Sequence, residues 1–599
     1  MSDRSVARAT GADAGPAWHF PIPASFRASR ADGPVPLVIG ATGHGNLVAA
    51  EIPQIRALVT SFLQNLRHGS RNTPLRVITG LAEGADRLVT DEALALGIPV
   101  LAVLPMPRAL YAEDFRAAGS LQEFENLCAR AEVVELPLLP GITAADIGTG
   151  TDARNRQYAQ LGVFLCAHSH VLLALWDGKE SARVGGTSQV VHFHHDDLMP
   201  GYTSDKRKYR ELLADDESDL VYHIVVSRDQ PDGGAAASFQ ALQASWFTTD
   251  ETNPRPEVLP LRYQLIFSRT SDFNADAARH AAAIDRERRD LPPTPPDRDA
   301  GALAAVNELF VTADWLAGHF QHQFHAMLRR THTIAVSMGL AYIAYSDVRD
   351  DPIFIAVFLA LFCAGLLLVA IATRRAWHRK YLDYRALAEG LRVQYFWAAS
   401  GIHGGQSTKF AHDNFLQKQD VELGWIRNVM RVAGLQSDLR ATADPEGLRM
   451  AISQWIGDER SGQTGYYAMK ARTCATLQSR TEFISLACLS IGLFVALGLA
   501  IYHAELSNAA KIPLKALMGI LPLIAATRDA YSQKKAEKEL VKQYRFMHRV
   551  FRNAQRQLAN ARTDDDRREI LRAVGDAALD EHAEWILIHR ERPLEMSGL

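Results

Sequence analysis

Residues 353–373 read IFIAVFLALFCAGLLLVAIAT, without a single charged side chain. At 1.5 Å per residue a helix of this length crosses a hydrocarbon core about 30 Å thick. Arg374, Arg375, Arg379 and Lys380 come directly after it, a basic stop of the kind found on cytoplasmic membrane faces. The stretch therefore reads as a membrane span. The residues before it read as a cytoplasmic head, and those after it as further membrane machinery.

A partner to this span lies just upstream. Thr333–Tyr345 (TIAVSMGLAYIAY) is a shorter apolar run, joined to the first by the acidic connector Ser346–Pro352. The arrangement recurs at Phe483–Tyr502 and, more weakly, at Ile512–Thr527, where Lys515 sits near an end and can reach the interface. Arg472 and Arg480 precede this second pair; Arg528, Lys534, Lys535 and Lys538 come after it. Cations at the outer ends place both termini in the cytoplasm of a four-span, multi-pass inner-membrane protein. The helix leaving each hairpin carries an apolar seam: Tyr384, Leu387, Leu391 and Tyr395 after the first, and Leu540, Tyr544, Met547, Phe551 and Leu558 after the second. Such a seam suits packing within the chain or between copies of it.

The 599 residues leave room for several domains, and the net charge of −3 gives no basic footprint, so no nucleic-acid partner is expected. Cys128, Cys166, Cys363, Cys474 and Cys488 lack CxxC spacing, which fits reduced thiols and no zinc site. The boundaries come from composition. Residues 1–33 read as a flexible tail, 34–275 as a head, and 276–302 as a linker around Leu291–Pro296. Beyond these come a first hairpin with its helix (303–400), a connecting helical segment (401–455), and a second hairpin with a helical tail (456–599).

The head alternates short apolar runs with amphipathic stretches: PLVIGATG, LRVITG, PVLAVLP, AEVVELPL, HVLLALWDG and VYHIVVS. That alternation argues for an α/β, Rossmann-like parallel sheet covered on both faces, with ligands bound beyond the C-terminal strand ends. Three of those ends are unusual. Gly40, Thr42, Gly43 and His44 lie in a glycine-rich turn ahead of a helix near Leu47–Leu66, where backbone N–H groups can meet a phosphate. Gly80, Glu83, Gly84 and Asp86 form a second turn, in which Asp86 serves equally well as a first-turn dipole partner. Trp176, Asp177 and Gly178 form the third, with Gly185, Gly186 and Thr187 beyond it at another helix start. Here Asp177 suits ribose hydroxyls and the Gly185–Thr187 turn suits phosphate.

The order and spacing of GATGHG, GLAEGAD, RNRQYAQLG, ALWDG and GGTSQVV resemble the SLOG superfamily of Rossmann-like nucleotide-sensing domains. Relatives in that superfamily include LOG-type phosphoribohydrolases and the sensory heads of TRPM channels. The resemblance implies a pocket for a nucleotide or NAD-derived ligand, with no other cofactor. LOG-type enzymes carry PGGxGTxxE, whose Glu serves catalysis; Val184–Val190 is shorter and lacks it. Asp177, Glu83 or Asp86 could serve in its place, but nothing in the sequence specifies one, so the pocket reads as binding more than cutting and no catalytic residue is assigned. The Val191–Asp197 run matches no metal-site spacing and reads as a ligand-adjacent polar helix surface, and His319, His322, His325 and His332 drift round their helix and read as a solvated or headgroup-facing stripe.

The first hairpin together with Tyr384–Arg392 and Trp397 resembles SLATT, the SMODS and SLOG-associating two-transmembrane effector domain. Trp455, Ile456, Tyr466, Tyr467 and Lys470 before the second hairpin, and Glu584–Leu587 with His589–Pro593 in the tail, are similar to the same family. A tandem pair departs from the family's single hairpin. The two resemblances together imply a homo-oligomeric effector of a bacterial conflict or anti-phage system. Its head would sense a nucleotide or NAD-derived ligand and its hairpins would form a pore or disrupt the bilayer. A tethered nucleotide or NAD hydrolase of the N-glycosidase type, or a ligand-gated channel outside defence, remain open beside it.

Overall fold

The computed structural model describes residues 34–590 apart from 71, 149, 204–218, 250–254, 290–299, 403–414, 418 and 441–444. The tail 1–33 and the proline run of the linker fall outside the described residues. The described chain divides into two compact units: residues up to 312 together with 390–443, and 313–389 together with the residues after 444.

The first unit is built on a seven-stranded sheet in the order β4-β3-β2-β1-β5-β6-β7. The strands are β1 (Leu37–Gly43), β2 (Leu75–Thr79), β3 (Val100–Leu104), β4 (Glu132–Glu135), β5 (Val171–Trp176), β6 (Val221–Val225) and β7 (Ala244–Phe247). The first six are parallel, as the apolar runs predict, and β7 closes one edge antiparallel to β6. The order reverses at β1, which pairs with β2 on one side and β5 on the other. That reversal is a topological switch point, where a crevice opens beyond the strand ends.

Helices cover both faces. On α1 (Ile52–Gly69) the buried residues Ile55, Val59, Phe62, Leu63 and Leu66 recur at helical spacing, and Phe62 stacks on Tyr222 with ring centroids 4.3 Å apart. Next come α2 (Ala85–Ala95) and α3 (Ser120–Arg130). Phe124, Leu127 and Cys128 of α3 pack with Ala102 and Leu104. On the opposite face, Leu161, Phe164 and Leu165 of α4 (Asp152–His168) meet Leu101 and Val103. After α5 (Thr187–Asp196), the sheet unit continues into α6 (Leu261–Arg289), so residues 276–289, read as linker, extend a helix.

The later helices are α7 (Ala300–Ile343), α8 (Pro352–Arg374), α9 (Trp377–Ala399), α10 (Gly424–Arg440), α11 (Gly462–Ile501), α12 (Asn508–Lys534), α13 (Glu537–Asn560) and α14 (Asp564–Arg590). Among the described residues three are long and apolar enough to cross a membrane: the run Pro352–Ala399, whose apolar part is α8, together with α11 and α12. The apolar run Thr333–Tyr345 lies at the end of the 44-residue α7 and in the helical turn Ala344–Val348 that follows it.

Helix α10, read as part of a connector, belongs to the sheet unit. Its Leu435 joins the apolar cluster of Val38, Ile78 and Leu161. His168 Nδ1 lies 3.0 Å from the Arg431 carbonyl, and Arg431 Nη1 donates to the Ala167 carbonyl at 3.2 Å. The C-terminal half of α4, residues 161–168, is thereby buried all round, which explains why it is apolar on several sides.

The second unit carries a repeat along its chain. Arg374-Arg375-Ala376 and Lys534-Lys535-Ala536 each end an apolar helix, and each alanine takes a left-handed conformation (φ 51°) before the next helix starts. A Tyr-Arg pair, 384–385 and 544–545, recurs at the same offset. The α13 seam packs within the chain: Tyr467 stacks on Phe551 at 5.5 Å, and Trp455 meets the same ring at 6.3 Å.

Candidate functional site

The parallel register carries the C-terminal ends of β1, β2 and β5 to one edge of the sheet. There the chain after β1 is held by two backbone bonds: His44 N–H donates to Leu175 O at 3.1 Å, and Ala85 N–H donates to His44 O at 3.1 Å. The glycines make this approach feasible. A Cβ on Gly43 would lie 2.4 Å from the Ala85 Cβ and 2.8 Å from Leu175 O. Gly84 has φ 77°, and a Cβ there would meet Gly45 O at 2.4 Å. Only glycine lets the two turns interlock with the N-terminus of α2, whose dipole then faces the crevice.

His44 reaches across the switch point. Its Nε2 lies 3.1 Å from both the backbone nitrogen and Oδ1 of Asp177. A neutral ring accepts the Asp177 N–H at that nitrogen; a protonated ring donates to the carboxylate instead. Burial lowers the His44 pKa, with Asp177 opposing the shift by charge and hydrogen bond. The neutral acceptor form therefore prevails near pH 7.

Of the expected site residues, Gly43, His44, Glu83, Gly84 and Asp177 converge here, with Thr42 buried directly beneath. Others are engaged elsewhere. Gly40 is a packing glycine whose Cβ would strike Ser169 Oγ at 2.2 Å. Gly80 offers its carbonyl to the Tyr111 hydroxyl at 3.0 Å and backs onto Leu161. Asp86 turns inward, accepting from Ala82 N–H at 3.3 Å, and burial pushes its carboxyl up to about 7. Trp176 is buried, its indole N–H donating to Lys179 O at 3.0 Å. Gly178 (φ 78°) lies under Phe239, and Asp177 O accepts from Ala236 N–H at 2.8 Å. Asp177 is thus 3% exposed, its Oδ1 also accepting from Lys179 N–H at 3.0 Å. A ribose would have to displace that covering loop. Gly185 (φ 75°) abuts Tyr158 and Ala159, and Gly186-Thr187 opens α5.

Sequence reasoning assigned no site role to the groups flanking the second turn. Arg154, buried on α4, binds Asp114 at 2.9 Å and Leu110 O at 2.9 Å. The Tyr158 hydroxyl also donates to Asp114. Arg87 grips Ser120 O and Oγ, each at 3.0 Å, and Glu123 at 2.6 Å, while the Ser120 hydroxyl donates to Glu83. Arg154 and Tyr158 share the RNRQYAQLG stretch and were within reach of a reading that asked what a buried arginine needs.

The histidine-rich stretches resolve into packing. His194 Nε2 lies 3.2 Å from Leu220 O, and His195 meets the Phe247 ring edge-on. His319 stacks on Trp315 at 5.3 Å. Among the described residues, no group of three or more His, Cys, Asp or Glu is arranged to hold a metal.

No family model, curated protein or solved structure matches this chain.

Proposed function

We propose that the chain is a membrane-anchored effector whose sheet unit senses a nucleotide or NAD-derived ligand and whose helical hairpins then permeabilise the bilayer. The observation that carries this reading is the interlocked Gly43–Gly45 and Glu83–Ala85 turns at a switch point, in a chain with three membrane-length apolar helices. Backbone N–H groups and a helix N-terminus at such a crevice suit phosphate. His44, neutral near pH 7, suits a base or ribose as hydrogen-bond partner. Helices α7 and α9 each contribute residues to both units, so a ligand-driven change has a covalent path to the hairpins. Ligand binding drives such a change only by favouring one state.

A second reading, hydrolysis of the ligand, rests on the His44–Asp177 pair. The neutral His44 ring offers Nε2 as a base only once a ligand displaces the Asp177 N–H that it accepts.

The test reconstitutes the full chain in dye-loaded liposomes and presents nucleotides, cyclic oligonucleotides and NAD derivatives, with mass spectrometry tracking each ligand. The sensing reading expects leakage with an unchanged ligand, and loss of both retention and leakage in His44→Ala. A converted ligand moves the assignment to the hydrolase. Retention of no ligand by the intact chain removes the crevice from consideration.

A further inference from the structure

Between α7 and α8 runs a groove of about 480 Å³, lined by Ala326, Arg329, Arg330, Thr333, Ile334, Ala364 and Leu368. Its lining changes character along its length. Arg329 and Arg330 are exposed at one end, and neither forms an ion pair among the described residues. At the other end the wall is Ile334 and Ala364, and Ile334 lies 3.5 Å from where a Cβ on Gly365 would sit. The two helices run antiparallel here. A step from Arg330 to Ile334 along α7, or from Leu368 to Ala364 along α8, moves about one turn in the same direction, away from the Arg374-Arg375 end of the span. Two cations thus sit at the level where an apolar helix meets its basic flank, with a greasy channel leading inward.

We infer that this groove binds one anionic glycerophospholipid, its phosphate between the Arg329 and Arg330 guanidinium groups and an acyl chain along Ile334, Ala364 and Leu368. The charge complementarity is direct: two arginines without carboxylate partners at a membrane boundary take their counter-charge from headgroup phosphate. A soluble phosphate would satisfy the cations but leave the apolar half of the groove unfilled. The volume lies within the range of small-molecule sites. The inference rests on the membrane reading of α8.

The full chain is reconstituted in nanodiscs of mixed phosphatidylglycerol and phosphatidylcholine, released into mild detergent, and its retained lipids are counted by native mass spectrometry. Phosphatidylglycerol should be retained in preference, and millimolar inorganic phosphate should not displace it. Retention should fall about 25-fold in Arg329→Gln/Arg330→Gln, at about fivefold per cation. Ala364→Trp fills the channel without changing charge and should lose the lipid as well. Arg472→Gln/Arg480→Gln removes the same charge outside the groove and should retain it. Equal retention of both lipids, equal losses in the groove and control pairs, or displacement by free phosphate would overturn the assignment. Alkaline carbonate extraction keeps the underlying readings apart: release from liposomes removes the membrane reading and this inference with it. A chain that stays inserted yet retains no lipid removes the groove assignment alone.

Discussion

Acidification should loosen the sheet unit through His170, at the start of β5. Its Nδ1 accepts from Val38 N–H at 3.1 Å, and its Nε2 lies 3.0 Å from the Asn428 carbonyl. Both bonds are satisfied only by the neutral ring with its proton on Nε2. Burial lowers its pKa to about 4, with the nearby Arg431 and His168 adding to the shift. Between about 4 and 6.5 the unfolded chain therefore binds a proton that the folded chain refuses. This stabilising contribution is complete above pH 6.5 and is lost as pH falls toward 4, by at most about 3 kcal/mol. His223, also lowered to about 4 by burial, acts in the same direction. Asp86, raised to about 7 by burial, opposes both, because the folded chain keeps a proton there that the unfolded chain releases. The diagnostic quantity is therefore the difference between wild type and His170→Gln. Hydrogen exchange at the β1 amides, corrected for intrinsic rates, should give a pH slope smaller in the variant by about 1.4 kcal/mol per unit between pH 4.5 and 6. Identical slopes would refute the assignment of a neutral, doubly bonded His170.

Four further outcomes are expected. Asp86→Asn should remove the penalty that grows above pH 4 and is fully present above pH 7, so its melting temperature should gain on wild type more at pH 8 than at pH 5. Gly84→Ala, forced into a left-handed conformation against Gly45 O, should cost at least about 1–2 kcal/mol in a denaturant titration and abolish ligand retention. In the helical unit the largely buried Arg385 binds the half-buried Asp314 at 3.0 Å and Glu389 at 2.9 Å, so Arg385→Met should cost about 1–3 kcal/mol by removing the cation that both carboxylates share, read as earlier thermal unfolding in detergent. Ala376→Gly and Ala536→Gly, which relieve the repeated left-handed alanines, should each raise that unfolding temperature, by about 1 kcal/mol of stability.

Local pattern was enough for much of the sheet. Six runs became β1–β6 in parallel register; β1, β3 and β5 are continuous apolar runs because they are buried on both faces, whereas β4 is an edge strand with exposed Glu132 and Glu135. The seventh strand, Ala244–Phe247, escaped notice because a four-residue antiparallel edge has too little length to show a period. That the Thr333–Tyr345 run continues the long helix α7 is not legible in its hydropathy, which marks apolar stretches and not helix ends. Glycine-rich turns announced the crevice, since close backbone approach leaves a direct mark on composition. They did not announce which turn residues face it: Gly40, Gly80 and Asp86 carry the same signature as Gly43 and Gly84 but serve packing.

The sequence by itself determined the apolar helices, the parallel sheet and the edge at which its special turns gather. Each of these arises from side-chain periodicity, backbone freedom or bilayer thickness, which act on short stretches. Tertiary structure alone decided that α10 packs on β1 and α4 through His168, His170 and Leu435. It also decided that Asp177 lies closed beneath the 236–239 loop, and that two arginines frame an apolar groove. These features join residues far apart in the chain, and no local period encodes which distant carbonyl a buried histidine will find.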